Sequence, residues 1–433
     1  MKISFKDKVL KRIAFYKYFN FIEQRKVNDF PYLSKSEIDV IRLDKLKYIL
    51  FNAINTVPFY KNLKIEIDFS KFSIDDLMKF PVVNKEIIRE NTELFLSDKN
   101  RGYASQTSGS TGVPFQYYLP YKSGALELMT VNRAWGMSES GYKYGDPIVH
   151  VRSYSPKRGE ALVKHDISNN YFYISPFHLN EKYLKQYISF IIDSEAKIIR
   201  GYPSSIYIFT LLLKKFNLKL NQVKSIITSS ETLLPLWREV IEDYWGVKIL
   251  DWYGQNENTV TVQQCWVGNY HNNDDYGILE IDAKNSIIAT SLNNDCMPFI
   301  RYNTNDVAIP LESKIDKCPC GRNTSIPFKG IEGRKDDILV SNDGTLIPTA
   351  NFSTALKGFA ELNQYQIIQE LDRSLKLNLV IRPDIESSYI EKIKAELFQR
   401  LGDLDIQVNI TDRIERDLNT GKVKVTIQKI KLW

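Results

Sequence analysis

Ten consecutive positions carry the densest concentration of ligand-binding groups in the chain. Ser105-Gln106-Thr107-Ser108-Gly109-Ser110-Thr111-Gly112-Val113-Pro114 holds two glycines and five hydroxyl side chains. Glycines let backbone approach a ligand, hydroxyls add donors, and successive amides can turn inward as a cradle for phosphate. Neither Gly-x-x-x-x-Gly-Lys-Ser/Thr nor Gly-x-Gly-x-x-Gly occurs here, so the two common nucleotide fingerprints do not explain the stretch. The plain alternative is a flexible surface linker. A second set of groups points to metal. Cys318-Pro319-Cys320-Gly321 is a tight pair and Cys265 precedes His271 by six residues, so three thiolates and one imidazole could complete a Cys₃His zinc site. The alternative is two ordinary turns with reduced thiols. Cys296, beside Met297 and Pro298, reads as a core residue.

The elements that must position these groups follow from hydrophobic period. Ser34 and Glu37 offer helix caps, and Val40, Leu43, Leu46, Leu50 and Ile54 recur at helical steps until Pro58 stops them. Helix is expected over 131–141, and a buried strand at Ile148-Val149-His150-Val151. Apolar runs at 198–203 and 225–231 and a strand at 247–250 then alternate with helices over 204–216 and 234–245. This order argues for a parallel α/β sheet flanked by helices, whose ligands gather at the carboxyl ends of strands. Strands over 375–382 and 406–410 around a helix over 385–401 form a compact α+β unit. The fold class is therefore α/β: a large N-terminal region with parallel or mixed sheets flanked by helices, plus a small α+β C-terminal domain. The division falls at 1–335 and 336–433.

A chain of 433 residues with 43% hydrophobic and 25% charged residues belongs with ordinary globular proteins. The net charge of +6 is mild, and the basic residues are dispersed, which argues against nucleic acid as a partner. No apolar run matches a bilayer span and Met1-Lys2-Ile3-Ser4-Phe5-Lys6 lacks a signal-peptide core, so a cytoplasmic location is expected. Lys6, Lys8, Lys11 and Arg12 interleave with Val9, Leu10, Ile13, Tyr16 and Phe19 at helical spacing. Such a helix could touch an anionic membrane, though packing on its own domain is the commoner outcome.

Thr-Ser-Gly-Ser-Thr-Gly-x-Pro at 107–114 resembles the phosphate loop of the adenylate-forming enzymes, the superfamily of acyl-CoA synthetases, luciferases and peptide-synthetase adenylation domains. A lysine often follows that proline. Here it is Phe115, a departure shared with the branch of phenylacetate-CoA ligases and CapK-like capsule-biosynthesis proteins. Asn55-Thr56-Val57-Pro58-Phe59-Tyr60 and Phe80-Pro81-Val82-Val83-Asn84-Lys85 are similar to the lead-in of that branch; read as composition alone they are helix ends without chemistry.

The resemblance implies roles for further residues. Asp251-Trp252-Tyr253-Gly254-Gln255-Asn256-Glu257 is similar to Tyr-Gly-x-Thr-Glu, with Tyr253 packing on adenine, Glu257 holding magnesium and Asn256 in place of threonine. Ser229-Ser230-Glu231 falls where members line the acyl pocket and the adenine edge. Arg301-Tyr302-Asn303-Thr304-Asn305-Asp306 is similar to Tyr-Arg-Thr-Gly-Asp, so Asp306 would accept from the ribose hydroxyls, with Asn303 and Asn305 departing from the pattern. Gly333-Arg334-Lys335-Asp336-Asp337 resembles the hinge, with Arg334 near the ribose and Asp336 the pivot. Gly421-Lys422 resembles the terminal motif whose lysine is catalytic and mobile. The implied catalytic set is Thr107, Glu257 and Lys422. Ser108, Gly109, Ser110, Thr111, Gly112, Ser230, Glu231, Tyr253, Gly254, Asn256, Asp306, Arg334 and Asp336 bind nucleotide. Some members of the branch also carry cysteines where Cys265, Cys318 and Cys320 stand with His271.

The implied activity is ATP- and magnesium-dependent conversion of a carboxylic acid to an acyl-adenylate, then transfer to coenzyme A or another thiol. Two rivals stay open: transfer of the activated group to an amino sugar in surface-polysaccharide synthesis, and a noncatalytic nucleotide-binding descendant. The acid is unspecified. His150, Arg152, Tyr202, Ser204, Trp135 and Tyr207 are pocket candidates by position, and Arg152 could pair with a second carboxylate. With phenylalanine at 115, positive charge at the triphosphate is expected mainly from magnesium and the C-terminal domain.

Overall fold

The computed structural model describes residues 5–100, 102–107, 115–138, 140–157, 159–331, 338–342, 344, 346–356, 359, 361–381, 387–401, 404–414 and 425–430. They fall into two units, the first taking in 1–107, 115–143 and 250–332, the second 144–249 and 333–433.

In the first unit the helix Lys35–Thr56 starts at a capping box. Glu37 N donates to Ser34 Oγ at 3.3 Å, and Ser34 N donates to Glu37 Oε2 at 2.9 Å. Two of the donors that a helix start leaves without partners are thereby satisfied. Its inward stripe of Leu46, Ile49, Leu50 and Ala53 packs with Phe80, Phe95, Phe115, Tyr117, Phe299 and Tyr302 in one core. Cys296 belongs to that core, where burial raises its thiol to about 12. Strands Gly102–Thr107 and Phe115–Pro120 pair antiparallel with Thr107 opposite Phe115. Gly102 is required by close approach: a Cβ there would stand 2.3 Å from the Leu119 carbonyl oxygen. Strands Gly277–Ile281, Ser286–Ser291, Tyr302–Ile309 and Gly330–Ile331 form an antiparallel sheet. Ile249–Gly254, Thr261–Gln264 and Tyr270–Asn272 make an antiparallel succession.

The second unit contains the parallel strands Ser225–Ser229, Ile198–Gly201, Ile148–Val151 and Tyr171–Ile174, in that order, with Val163–Asp166 antiparallel at the edge. Helices Glu181–Asp193, Pro203–Lys215 and Pro235–Trp245 contribute Leu184, Tyr187, Ile206, Phe209, Trp237 and Ile241 to one core with Val149, Val151, Ile199 and Ile226. The same unit holds a four-stranded sheet ordered Ile406–Ile410, Leu375–Ile381, Leu362–Gln369, Thr426–Gln428, packed by the helix Ser387–Leu401 through Ile393 and Leu397. Alternate burial along Leu375–Ile381 reflects one covered face. The α/β class with an α+β C-terminal part is thus observed.

Two expectations are corrected. The helix placed at 131–141 runs Ser123–Gly136, because Met129 and Trp135 continue the buried face of Ala125, and the chain turns at Ser138. The strand placed at 247–250 runs Ile249–Gly254, because antiparallel pairing to Thr261–Gln264 carries it on to Gly254 opposite Thr261. No helix among the described residues is long and apolar enough to cross a membrane.

Candidate active site and metal centre

The extension of that strand puts Tyr253 on a rigid element. Its register partner is Val262. The Tyr253 hydroxyl donates to Asp306 Oδ2 at 2.8 Å and accepts from the Gln255 side-chain amide, whose Oε1 in turn accepts from Thr259 Oγ1 at 2.6 Å. Phe328 meets the ring edge-on at 6.0 Å. Burial, then the Asp306 carboxylate, pushes the phenol well above its ordinary range, so it stays protonated and serves as donor. Asp306 lies on the strand Tyr302–Ile309, and its amide donates to Thr304 Oγ1 at 3.2 Å. The unexpected asparagines of this loop have a backbone reason. Asn305 sits at φ +63°, a left-handed conformation in which asparagine is the best tolerated residue after glycine, and its amide donates to Asn303 Oδ1 at 2.8 Å.

Glu257 follows the strand and is buried, at 2% exposure. Its Oε1 faces Lys85 Nζ at 3.1 Å and accepts from the Tyr302 hydroxyl at 3.2 Å. Lys85 opens the short helix Lys85–Glu90, whose cap Asn84 accepts from Ile87 N at 2.9 Å. A bridge between Val83 and Tyr302 aligns the two segments, with Asn303 N donating to Val83 O at 2.8 Å. Residues 80–85 therefore do carry a charge interaction with a site residue, contrary to their reading as bare helix ends. No local signal in the sequence marks this contact, because Lys85 reads as a solvated helix-start lysine until Val83 is paired with Tyr302. Phe115 is fully buried, stacking on Tyr117 at 5.9 Å and meeting Phe299 edge-on at 6.4 Å. It anchors the hairpin after the glycine-rich stretch, and Lys85 brings to Glu257 a cation from elsewhere in sequence.

The structure thus brings Tyr253, Asp306 and the Glu257–Lys85 pair onto neighbouring segments of one unit, with Gly254 and exposed Asn256 on the chain between Tyr253 and Glu257. Thr107 ends the strand Gly102–Thr107. Ser108, Gly109, Ser110, Thr111, Gly112, Arg334, Asp336 and Lys422 lie outside the described residues.

In the second unit Ser230, at φ +74°, and Glu231 follow the strand Ser225–Ser229. Glu231 Oε2 accepts from Ser204 Oγ at 2.5 Å and Ser204 N at 3.2 Å, which ties two adjacent strand exits together. Arg152 donates to Ser229 Oγ at 2.5 Å and to Ser230 Oγ at 3.2 Å, and its guanidinium lies over the Tyr202 ring at 5.1 Å. His150 stacks on Tyr173 at 5.0 Å; burial first, then Arg200 and Arg152, push its pKa well below the ordinary range. Trp135 and Tyr207 are buried among aromatic neighbours. Trp135 meets Tyr142 edge-on at 5.4 Å, and Tyr207 stacks on Trp237 at 5.7 Å.

Cys265, His271, Cys318 and Cys320 converge, with all four ligand atoms within 4.8 Å of one another. His271 lies on the strand Tyr270–Asn272 opposite Gln263, and Cys265 N closes the turn by donating to Asn269 O at 2.9 Å. Cys318 and Cys320 flank a second turn closed by Gly321 N donating to Cys318 O at 3.0 Å, with Gly321 at φ +84°. Cys265 Sγ and Cys318 Sγ are 3.8 Å apart, and Cys320 Sγ is 3.3 Å from His271 Nε2. A tetrahedral zinc with bonds of about 2.3 Å to sulfur separates two sulfurs by about 3.8 Å, so the residues fit the ion. Thr324 Oγ1 stands 3.3 Å from Nδ1, which suits a proton there and leaves Nε2 facing the thiols. Burial lowers His271 to about 4, the neutral form a metal requires. Burial opposes the Cys318 thiolate, yet donors including Asn269 hold its pKa below the ordinary value.

Residues 339–429 match the CapK C-terminal domain. The chain is 24% identical over 420 residues to protein CapK of Staphylococcus aureus, covering 93% of this chain and 90% of CapK. It is 24% identical over 345 residues to phenylacetate-coenzyme A ligase of Aromatoleum evansii, covering 73% and 74%. A crystal structure of 2-hydroxyisobutyryl-CoA ligase in complex with 2-HIB-AMP and CoA superposes with a TM-score of 0.59 at 18% identity, over 93% of this chain and 92% of that one. Sequence similarity to CapK thus runs along nearly the whole chain and to phenylacetate-coenzyme A ligase along most of it, and the fold is that of 2-hydroxyisobutyryl-CoA ligase.

Proposed function

We propose that the protein is an AMP-forming ligase that activates a carboxylic acid with ATP and passes the acyl group to coenzyme A or another thiol. The observation that carries this reading is the hydrogen bond from Tyr253 to Asp306, 2.8 Å long, beside the buried Glu257. An aromatic platform for adenine, an acceptor-only carboxylate for a ribose diol and a carboxylate for magnesium are the groups a nucleotide needs, in matching sequence order. The relative named phenylacetate-coenzyme A ligase supports the thiol acceptor.

The acid's carboxylate oxygen attacks the α-phosphorus of ATP, the bond to pyrophosphate breaks, and an acyl-adenylate remains. Amides and hydroxyls of 107–112 and Lys422 stabilise the charge that builds on the phosphate oxygens. Glu257 is the residue that would hold magnesium, which would supply Lewis-acid neutralisation of the same charge. The domain 336–433 then turns at Asp336 to admit the thiol. Cys265, His271, Cys318 and Cys320 would hold a structural zinc, because four protein ligands leave no open position for chemistry.

Acid-dependent exchange of labelled pyrophosphate into ATP, run over aryl, fatty, hydroxy and amino acids, tests the reading. Exchange with at least one acid and coenzyme A-dependent turnover are expected; no exchange with any acid overturns it. Lys422→Ala should abolish adenylate formation while sparing use of a preformed adenylate, and equal survival of both half-reactions would remove that lysine from the mechanism.

A further inference from the structure

The first described helix, Phe5–Tyr18, buries none of its residues. Phe5, Val9, Ile13 and Tyr16 are 83%, 41%, 60% and 66% exposed. At about 100° per residue these four fall within an arc of about 80°. Lys8 and Arg12 lie just outside one edge of the arc and Lys6 and Lys17 just outside the other, within about 60°; all four are exposed. The opposite side of the helix is the one tied to the protein. Tyr121 donates to Asp7 Oδ1 at 2.7 Å, and Lys11 Nζ lies 3.8 Å above the Tyr103 ring. Asp7 is the helix's one acidic residue, and it is spent on that inward contact.

We propose that this helix seats the protein on an anionic membrane surface, with Phe5, Val9, Ile13 and Tyr16 among the lipid headgroups and Lys6, Lys8, Arg12 and Lys17 against lipid phosphates. A helix that served only its own domain would turn its largest apolar side chains inward; here the side carrying Asp7 and Lys11 docks, while Phe5, Val9, Ile13 and Tyr16 face out. Basic flanks on both edges of an apolar stripe are the pattern of an interfacial helix, in which hydrophobic insertion and charge attraction act on the same face. Charge also selects the occupant. A second copy of this chain would bring four cations against four cations, whereas an acidic lipid surface is complementary. The inference is independent of the proposed catalytic activity, since none of these residues belongs to the candidate site.

Flotation of the full-length protein with vesicles of equimolar phosphatidylglycerol and phosphatidylcholine, and with phosphatidylcholine alone, tests it. Binding to the anionic vesicles is expected to exceed binding to the neutral ones by about tenfold at low salt and to fall as salt is raised. Ile13→Ser with Tyr16→Ser should reduce binding by about tenfold with an unchanged unfolding temperature, because both side chains are exposed. Replacing Lys6, Lys8, Arg12 and Lys17 by glutamine should abolish the lipid preference. Failure of the wild type to float with anionic vesicles, or unchanged binding of the serine variant, overturns the proposal. So does a wild-type dimer in light scattering that the serine variant dissolves, which would assign the stripe to a second copy.

Discussion

Lys85→Met isolates the contact that the sequence did not announce. Glu257 and Lys85 are separated by 3.1 Å, with side-chain exposures of 3% and 21%. At an effective dielectric of about 20, that distance gives a gross attraction of about 5 kcal/mol. Desolvation offsets part of it, but truncating one partner leaves the other charge buried, and such losses run at about 3 kcal/mol. The Tyr302 hydroxyl is then the remaining hydrogen bond to Glu257 among the described residues. Lys85→Met should therefore lower the apparent melting temperature of the metal-free protein by about 6 °C. Glu257→Gln keeps an acceptor for Tyr302 and leaves a lysine that can reach water, so it should cost about 1 kcal/mol. The double variant decides the matter: if the two groups act on each other, it should be more stable than the sum of the single losses implies by about 2 kcal/mol. Additive single effects, measured by chemical denaturation, would refute the ion pair and return residues 80–85 to a packing role.

Purified without added metal, the protein should carry about one zinc per chain by elemental analysis, and Cys318→Ser should release it; zinc near zero in the wild type would leave two turns of reduced thiols. Tyr253→Phe removes the donor to Asp306 and should weaken AMP binding several-fold by calorimetry at a stability cost of about 1 kcal/mol; unchanged affinity would make that hydrogen bond purely structural. His150 has its folded pKa depressed by burial, so below about 6.5 the unfolded chain binds the extra proton and the folded one does not. The contribution is fully present above that pH and is lost as pH falls toward the folded value. Wild-type stability should accordingly decline more steeply from pH 7 to pH 5 than that of His150→Gln, and parallel profiles would exclude the histidine as a cause.

What was legible in the sequence was whatever local chemistry determines. Ser34 and Glu37 announced a helix start because a capping box closes within four residues. The alternation of apolar runs and helices from 148 to 249 announced a parallel sheet because connections of that length must cross over. Cysteine and histidine spacing pointed to a cluster of possible ligands, and the structure brings Cys265, His271, Cys318 and Cys320 together. The misreadings arose where a partner distant in sequence decides. The strand Ile249–Gly254 runs past its apolar stretch because Thr261–Gln264 pairs with it, and no property of Tyr253 or Gly254 alone foretells that extension. Lys85 looks like any solvated helix-start lysine until Tyr302 is laid beside Val83.

The departures from the family pattern follow the same logic. Asn305, where the resembled pattern has glycine, occupies a left-handed position while its neighbour Asn303 satisfies its amide. Phe115 gives up a cation in the glycine-rich stretch and gains a core anchor, at full burial between Tyr117 and Phe299. Charge at the triphosphate is expected mainly from magnesium and the C-terminal domain, and Lys85 is a third candidate. Lys85 already stands at the carboxylate assigned to the metal, placed there by a helix cap and a strand bridge instead of by the loop. A cation held by the scaffold is present before any domain movement, so binding of the nucleotide by this protein should depend less on closure than its lysine-free loop suggests.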